Sequence, residues 1–257
     1  MTKKSPSTIS KLWSCSAVLA VLLIWQLMTG SGMIDAFLLP SPLQVGKTLI
    51  TEFPILMEHS VITLSEAFVG LVLGILLGFF MAVIMDRFTF LYQALYPLVV
   101  LTQTIPTVAI APLLVLWFGY EMMPKVILII ITTFFPITVG LLTGFRSADP
   151  DAVSLLQAMG AGQKQIFFYI KLPEAMDPFF SGLRISASYA VVGAVISEWL
   201  GGFGGLGVYM TRVKKAFSFD KMFAVIFLIS FISLLLMHGV EFLQKLCMPW
   251  KQNPAGK

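Results

Sequence analysis

Long apolar runs, separated by short polar intervals, dominate the chain. A helix that crosses a bilayer needs roughly 20 mostly apolar residues. Six such runs fall at about residues 12–28, 61–85, 96–118, 124–145, 179–200 and 222–246. None alternates with the period of two that an outer-membrane strand would show. The first run lies behind Lys3, Lys4 and Lys11, as the core of a signal peptide would. No small-x-small cleavage site leads from it into a soluble domain, so it reads as an uncleaved helix. The pattern predicts an all-α, polytopic membrane protein with six transmembrane helices. They form one domain over residues 12–246, with terminal segments 1–11 and 247–257 and a polar interval at 146–177.

Composition sharpens this reading. Of 257 residues, 58% are hydrophobic and only 12% charged, and the mean hydropathy is +0.90. Soluble domains carry about 25% charged residues, so most soluble enzymes, disordered tails and nucleic-acid-binding domains are excluded. The net charge of +4 is a topology signal, since Lys and Arg concentrate in cytoplasmic loops. With the N-terminus inside, the inner set is Lys3, Lys4, Lys11, Arg87, Arg146, Lys164, Lys171, Arg184, Lys245, Lys251 and Lys257. The outer set is Lys47, Lys125, Arg212, Lys214, Lys215 and Lys221. The excess favours both termini in the cytoplasm, although the Arg212, Lys214, Lys215 cluster opposes it. Cys15 and Cys247 form neither a CxxC pair nor a metal cluster.

Two motifs are decoys. Gly46-Lys47-Thr48 resembles the end of a phosphate-binding loop, but Ser41 stands where its first glycine belongs. Gly202-Phe203-Gly204-Gly205-Leu206-Gly207 satisfies GxGxxG, yet it follows a membrane run rather than a strand, and is expected to be a flexible turn. Gly70, Gly74, Gly78 and Ala82 repeat every four residues, the spacing that lets membrane helices approach closely. Pro97, Pro106, Pro112 and Pro136 interrupt the third and fourth runs. They either kink those helices or, with nearby Gln103 and several threonines, line a pathway. His59 and His238 lie on distant segments, and nothing resembles GxSxG or HExxH. An ion-driven carrier buries ionisable groups at mid-membrane. Glu66 and Glu198, the candidates, fall near the outer ends of their runs, so the energy source is expected to lie outside this chain.

The polar interval reads as two short helices about a glycine. Asp149 can cap a first helix that opens with Pro150 and Asp151. Gly160 breaks it, and Pro173 is expected to end the second. Gly160, nine residues, Ile170, one residue, Leu172 and Pro173 repeat the register of the EAA loop of ABC-transporter permeases. Ser154, Leu155 and Leu156 stand where that loop has Glu-Ala-Ala. Leu39-Pro40-Ser41-Pro42, Ile105-Pro106-Thr107, Leu116-Trp117-Phe118-Gly119 and Glu198-Trp199-Leu200-Gly201-Gly202 extend the resemblance over nearly the whole chain, within the nitrate/sulfonate/taurine group. Met85-Asp86-Arg87, Gln103-Thr104-Ile105-Pro106 and Gly144-Phe145-Arg146-Ser147 most resemble permeases for pyrimidine precursors of thiamine.

The resemblance implies a type I ABC importer permease fold with a cytoplasmic coupling helix, in a bacterial inner membrane. Its partners would be ABC ATPase subunits, an extracytoplasmic substrate-binding protein and a second permease copy, with no nucleic acid. ATP and magnesium would be bound by the ATPase, leaving this chain without a cofactor, a metal or enzymatic activity. Ser154, Leu155, Leu156, Met159, Gly160, Ala161, Ile170, Leu172 and Pro173 are expected to couple to the ATPase. Gln103, Thr107, Thr133, Ser186 and Tyr189 are expected along the substrate pathway, and Glu198 and Trp199 at the outer gate or binding-protein contact. Riboflavin, sulfonate, taurine or nitrate are alternative solutes, and an autonomous secondary carrier is the alternative of a different class.

Overall fold

A computed structural model describes residues 8–249. Lys3, Lys4, Lys251 and Lys257, counted in the charge argument, lie outside the described residues, as do the side chains of Lys11 and Cys15. The elements run α1 (Thr8–Gly30), α2 (Pro42–Thr51), α3 (Phe53–Arg87), α4 (Thr89–Thr104), α5 (Thr107–Phe118) and α6 (Met122–Arg146). They continue with α7 (Pro150–Ala158), α8 (Gln163–Ile166), a π-turn (Phe167–Lys171), α9 (Leu172–Trp199), α10 (Leu206–Lys215) and α11 (Phe219–Cys247). By length and composition, α3, α6, the stretch Gln163–Trp199 and α11 can each cross a membrane. The pair α4–α5, bent by 97°, gives a fifth candidate, and Ser16–Gly30 is a shorter apolar stretch.

Two expectations about helix ends need correction. The run at 96–118 is not one straight helix: α4 stops at Thr104 and α5 begins at Thr107. Proline restrains the residue before it to extended backbone, and Ile105 (ψ 121°) and Pro106 (ψ 120°) both leave the helix. Conversely, Pro173 ends nothing. It occupies the first turn of α9, directly after the π-turn, where the Leu172 amide donates to the Phe167 carbonyl. The wider turn accommodates the ring and the missing donor.

The chain forms two compact units. One comprises the chain up to Glu58 together with Tyr209–Leu228. In it Trp25 stacks on Phe227 with centroids 5.8 Å apart, and Glu52 accepts from Lys221 (2.7 Å) and from the Tyr209 hydroxyl (3.1 Å). The Lys221 hydrogen bond holds the Glu52 carboxyl below its ordinary range. Burial, then the bond to Glu52, pushes the Tyr209 hydroxyl up to about 12.

The second unit, His59–Val208 and the chain from Ile229, is organised around α6 and α9. Lipid is as apolar as leucine, so membrane helices gain little by hiding apolar area and associate through close packing. A side chain on Gly144 would run into Ala175, one on Gly182 into the Pro136 carbonyl, and one on Gly140 into the Pro178 carbonyl. The anticipated glycine face of α3 also meets α6: Gly70 lies on Ile129, Gly74 on Thr133 and Gly78 on Ile137. The core between them includes fully buried Met85, Ile137, Leu141 and Phe145. Outward, Leu73, Leu76, Leu77 and Phe80 of α3 are exposed, as a lipid-facing helix requires.

Gly182→Ala is therefore expected to destabilise the protein by about 1–3 kcal/mol, the usual cost of overpacking. Gly239, with nothing within 4 Å of an added Cβ, is the control: Gly239→Ala should leave the melting temperature in detergent unchanged or slightly raised.

Candidate functional site

Three constructions in the second unit bear on function. The first is the polar interval after α6. The Asp149 side chain accepts from the Asp151 amide at 3.0 Å, capping α7 as its sequence suggests. At the other end Gly160 donates to the Gln157 carbonyl and Ala161 to the Leu156 carbonyl, each at 2.9 Å. This is a Schellman stop, which places its C′ residue in the left-handed region. Gly160 sits there at φ 86°. No residue of α7 is buried: Ser154, Leu155 and Met159 are exposed and Leu156 and Ala161 half-buried. Leu155 and Met159, 63% and 75% exposed, form an unpaired apolar edge.

The segment behind that edge is firmly held. Ile166 is buried, and Phe167 packs on Phe145 with centroids 5.3 Å apart. Lys171 donates to both carboxylate oxygens of Asp86 at 2.8 Å, tying the π-turn to the end of α3. Ile170, Leu172 and Pro173 are half-buried along this turn. The segment from α8 to α9 is thus continuous and anchored to α3.

The second construction is a cavity of about 310 Å³ at the α4–α5 break. Gln103, Thr107 and Tyr189 line it, joined by Thr102, Thr132, Gly193 and the apolar Ile105, Val192 and Ile196. No charged side chain contributes. Thr133 and Ser186 are not there. Thr133 donates to the Ile129 carbonyl at 2.7 Å and lies against Gly74 of α3, and Ser186 donates to the Thr133 carbonyl at 2.7 Å; both side chains are fully buried. Neighbours on a helix point about 100° apart, so Thr132 faces the cavity while Thr133 faces protein. Thr132, which its sequence context did not set apart from Thr133, thus joins the cavity lining.

The third construction joins the end of α9 to α3. Glu198 is 1% exposed. Its carboxylate accepts from the Thr63 hydroxyl at 2.8 Å and from the Gly207 amide at 2.6 Å. Thr63 in turn accepts from the Leu206 amide (2.8 Å), and His59 Nδ1 from the Gly205 amide (3.1 Å). Beside them Lys125 forms a buried ion pair with Glu66 at 2.5 Å. The glycine-rich segment is consequently clasped, not the flexible turn expected. Gly205 combines φ 114° with contact so close that any side chain would strike the Glu198 carboxylate. Glu198 faces inward on this clasp; only Trp199, 48% exposed, presents surface.

Comparison with known proteins places these features. Residues 74–251 match the family described as binding-protein-dependent transport system inner membrane component. The chain belongs to this family. The formylaminopyrimidine transport permease protein ThiX of Halalkalibacterium halodurans is 36% identical over 91% of this chain and 94% of its own. The riboflavin transport system permease protein RibX of Chloroflexus aurantiacus is 29% identical over 92% and 89%. In fold, a crystal structure of an amino acid ABC transporter with histidines superposes with a TM-score of 0.61 at 16% identity, covering 77% of this chain and 94% of that one. The protein is a multi-pass membrane permease subunit of an ABC importer. It is a transport subunit rather than an enzyme, and ATP hydrolysis belongs to a separate ATPase.

Two outcomes follow for this permease. Glu198→Gln replaces one of two acceptor oxygens by a donor facing the Gly207 amide. Loss of such a bond is worth about 1.5 kcal/mol, so hydrogen exchange at Gly205–Gly207 should speed up about tenfold, read by mass spectrometry. Gly160→Val forces a β-branched residue into the left-handed region, at a cost of about 1–2 kcal/mol. ATPase copurification should fall several-fold with valine and much less with Gly160→Asn, since asparagine tolerates that backbone.

Proposed function

We propose that this permease imports a small, uncharged or weakly charged planar heterocycle of the formylaminopyrimidine type. The observation that carries this reading is the lining of the cavity at the α4–α5 break. Its polar groups are amide, hydroxyl and phenol, without Lys or Arg. A sulfonate, taurine or nitrate ion entering an apolar enclosure would need a cationic or strongly donating partner. A neutral ring needs only stacking on Tyr189 and hydrogen bonds from Gln103, Thr107 and Thr132. ThiX, 36% identical, is named for formylaminopyrimidine transport, and riboflavin, in the name of RibX, is a second planar heterocycle.

In this reading Gln103, Thr107 and Tyr189 contact the solute, and the segment around Gly160 docks on an ABC ATPase. The edge formed by Leu155 and Met159 suits a helix laid in a partner's groove, with Ile170, Leu172 and Pro173 carrying its motion into α9. Both termini and this loop face the cytoplasm, following the excess of basic residues there. A second permease copy closes the cavity, whose Gln103 and Ile105 are exposed in the single chain. ATP and magnesium reside in the ATPase, and the solute arrives on a binding protein at the face bearing Trp199. The buried charges also favour this scheme over an autonomous carrier. One Glu66 oxygen is paired with Lys125, and Glu198 is committed to Thr63 and Gly207, so both carboxylates are engaged in holding segments together.

The test is ATP-dependent uptake into proteoliposomes holding permease, ATPase and binding protein. Formylaminopyrimidine uptake should saturate, resist competition by taurine and nitrate, and drop about tenfold with Gln103→Leu, the loss of one hydrogen bond. Transport of taurine in preference to the pyrimidine would overturn the substrate assignment, and uptake without the ATPase would overturn the transporter class.

A further inference from the structure

A second cavity, about 380 Å³, lies at the opposite end of the α4–α6 groove. It is lined by Tyr92, Tyr96, Val139, Thr143, Arg146 and Ser147, among others. Its relation to the first cavity is set by helix geometry. On α4, Tyr92 and Tyr96 precede Gln103 by eleven and seven residues; on α6, Val139 and Thr143 follow Thr132 by seven and eleven. Such intervals return to within about 20° of one line along a helix. Both cavities therefore open on the same face of the same two helices, about 16 Å apart from Thr132 to Thr143 at 1.5 Å per residue.

The chemistry at this end is specific. The rings of Tyr92 and Tyr96 stack with centroids 4.9 Å apart and planes 27° from parallel. The Arg146 guanidinium lies 3.4 Å above the Tyr92 ring. Stacking engages the guanidinium through its face and leaves the N–H donors in its plane free to point sideways. Among the described residues Arg146 has no carboxylate partner. Thr143 and Ser147 add hydroxyls at the rim. Tyr92 is covered by Tyr96 and Arg146, so the Tyr96 ring is the π-surface on offer. Beside a fork of in-plane donors it fits a planar heteroaromatic ring bearing nitrogen or carbonyl acceptors, and offers little to a compact, non-aromatic solute.

We propose that Tyr92, Tyr96 and Arg146 form a second binding station for a planar heteroaromatic solute, at the end of the groove next to the coupling loop. The solute occupies it after leaving the Gln103 cavity and before release. Arg146 and Ser147 lie within three residues of the α7 cap at Asp149, so occupancy is felt where α6 passes into that loop. This inference rests on the reading of the chain as a permease for such a heterocycle.

The test is calorimetric titration of formylaminopyrimidine into the complete permease–ATPase complex in phosphatidylcholine nanodiscs, without binding protein. The Gln103→Leu complex should still bind the pyrimidine. Adding Arg146→Gln, Arg146→Lys or Tyr96→Leu should weaken that remaining binding tenfold or more, whereas Tyr96→Phe, which keeps the stack, should hold it within twofold. ATPase copurification checks that each variant is assembled; Arg146→Lys retains the charge but not the planar fork, so it serves if the glutamine variant fails to assemble. Complete loss of binding with Gln103→Leu alone would mean a single station and overturn the proposal. So would remaining binding that ignores all three weakening variants, or an Arg146 effect seen only after phosphatidylglycerol is added, which would mark a lipid-headgroup contact. A parent complex that neither binds nor takes up formylaminopyrimidine would instead overturn the substrate reading, and the second station with it.

Discussion

Close backbone contact between α6 and α9 is the constraint on which the rest of this permease depends. In lipid there is no water to expel from between two helices, so their association rests on packing and on hydrogen bonds that short distances permit. Gly144 and Gly182 bring the helices so near that Ala175 and the Pro136 carbonyl occupy the room a side chain would need. At that separation Ser186 of α9 reaches the Thr133 carbonyl of α6. The same spacing leaves Thr132 and Gly193 side by side on the wall of the cavity. A bulkier pair of helices would lose the hydrogen bond and the shape of the cavity together.

From that pair, α9 extends to a polar tie at each end. The π-turn carries the helix unbroken from α8 through Pro173, and Lys171 ties its beginning to Asp86 at the end of α3. At the far end Glu198 ties it to Thr63, near the start of α3's buried course. A helix pinned to one neighbour at both ends transmits a push along its length instead of bending between the pins. The exposed edge of α7 and the clasped glycine segment are thus connected by covalent helix and two polar ties.

Much of this was legible in the residues, and what was not has identifiable causes. The apolar runs located α3, α6, α9 and α11 because lipid demands long uninterrupted apolar stretches, and the Gly70–Gly74–Gly78 face was visible because its spacing matches the helical repeat. The break at Ile105-Pro106 was obscured because a re-entrant bend and a kinked span share the same composition. Pro173 misled because a π-turn, which has no sequence signature, accommodates a proline that an α-helix would reject. Thr133 and Ser186 were indistinguishable from Thr132 and Tyr189, since polarity on a membrane helix reports a partner without saying whether it is protein or solute. Glu198 looked unemployed because its partners, Thr63 and the Gly207 amide, are remote in sequence or belong to the backbone.

The placement of charge explains why a chain so poor in ionisable groups nonetheless buries several. Lys125 and Glu66 neutralise each other, and Glu198 spends its acceptors on a hydroxyl and an amide, so each charge inside the protein fixes one segment to another. The cavity at the α4–α5 break has none. A buried charge facing the pathway would bind a solute or ion tightly in one state and demand a large differential affinity to release it in the other. With no charge in its lining, that cavity can offer a solute only stacking and neutral hydrogen bonds. The buried carboxylates and Lys125 are thus spent on joining segments of the protein, in keeping with ATP hydrolysis by a separate subunit.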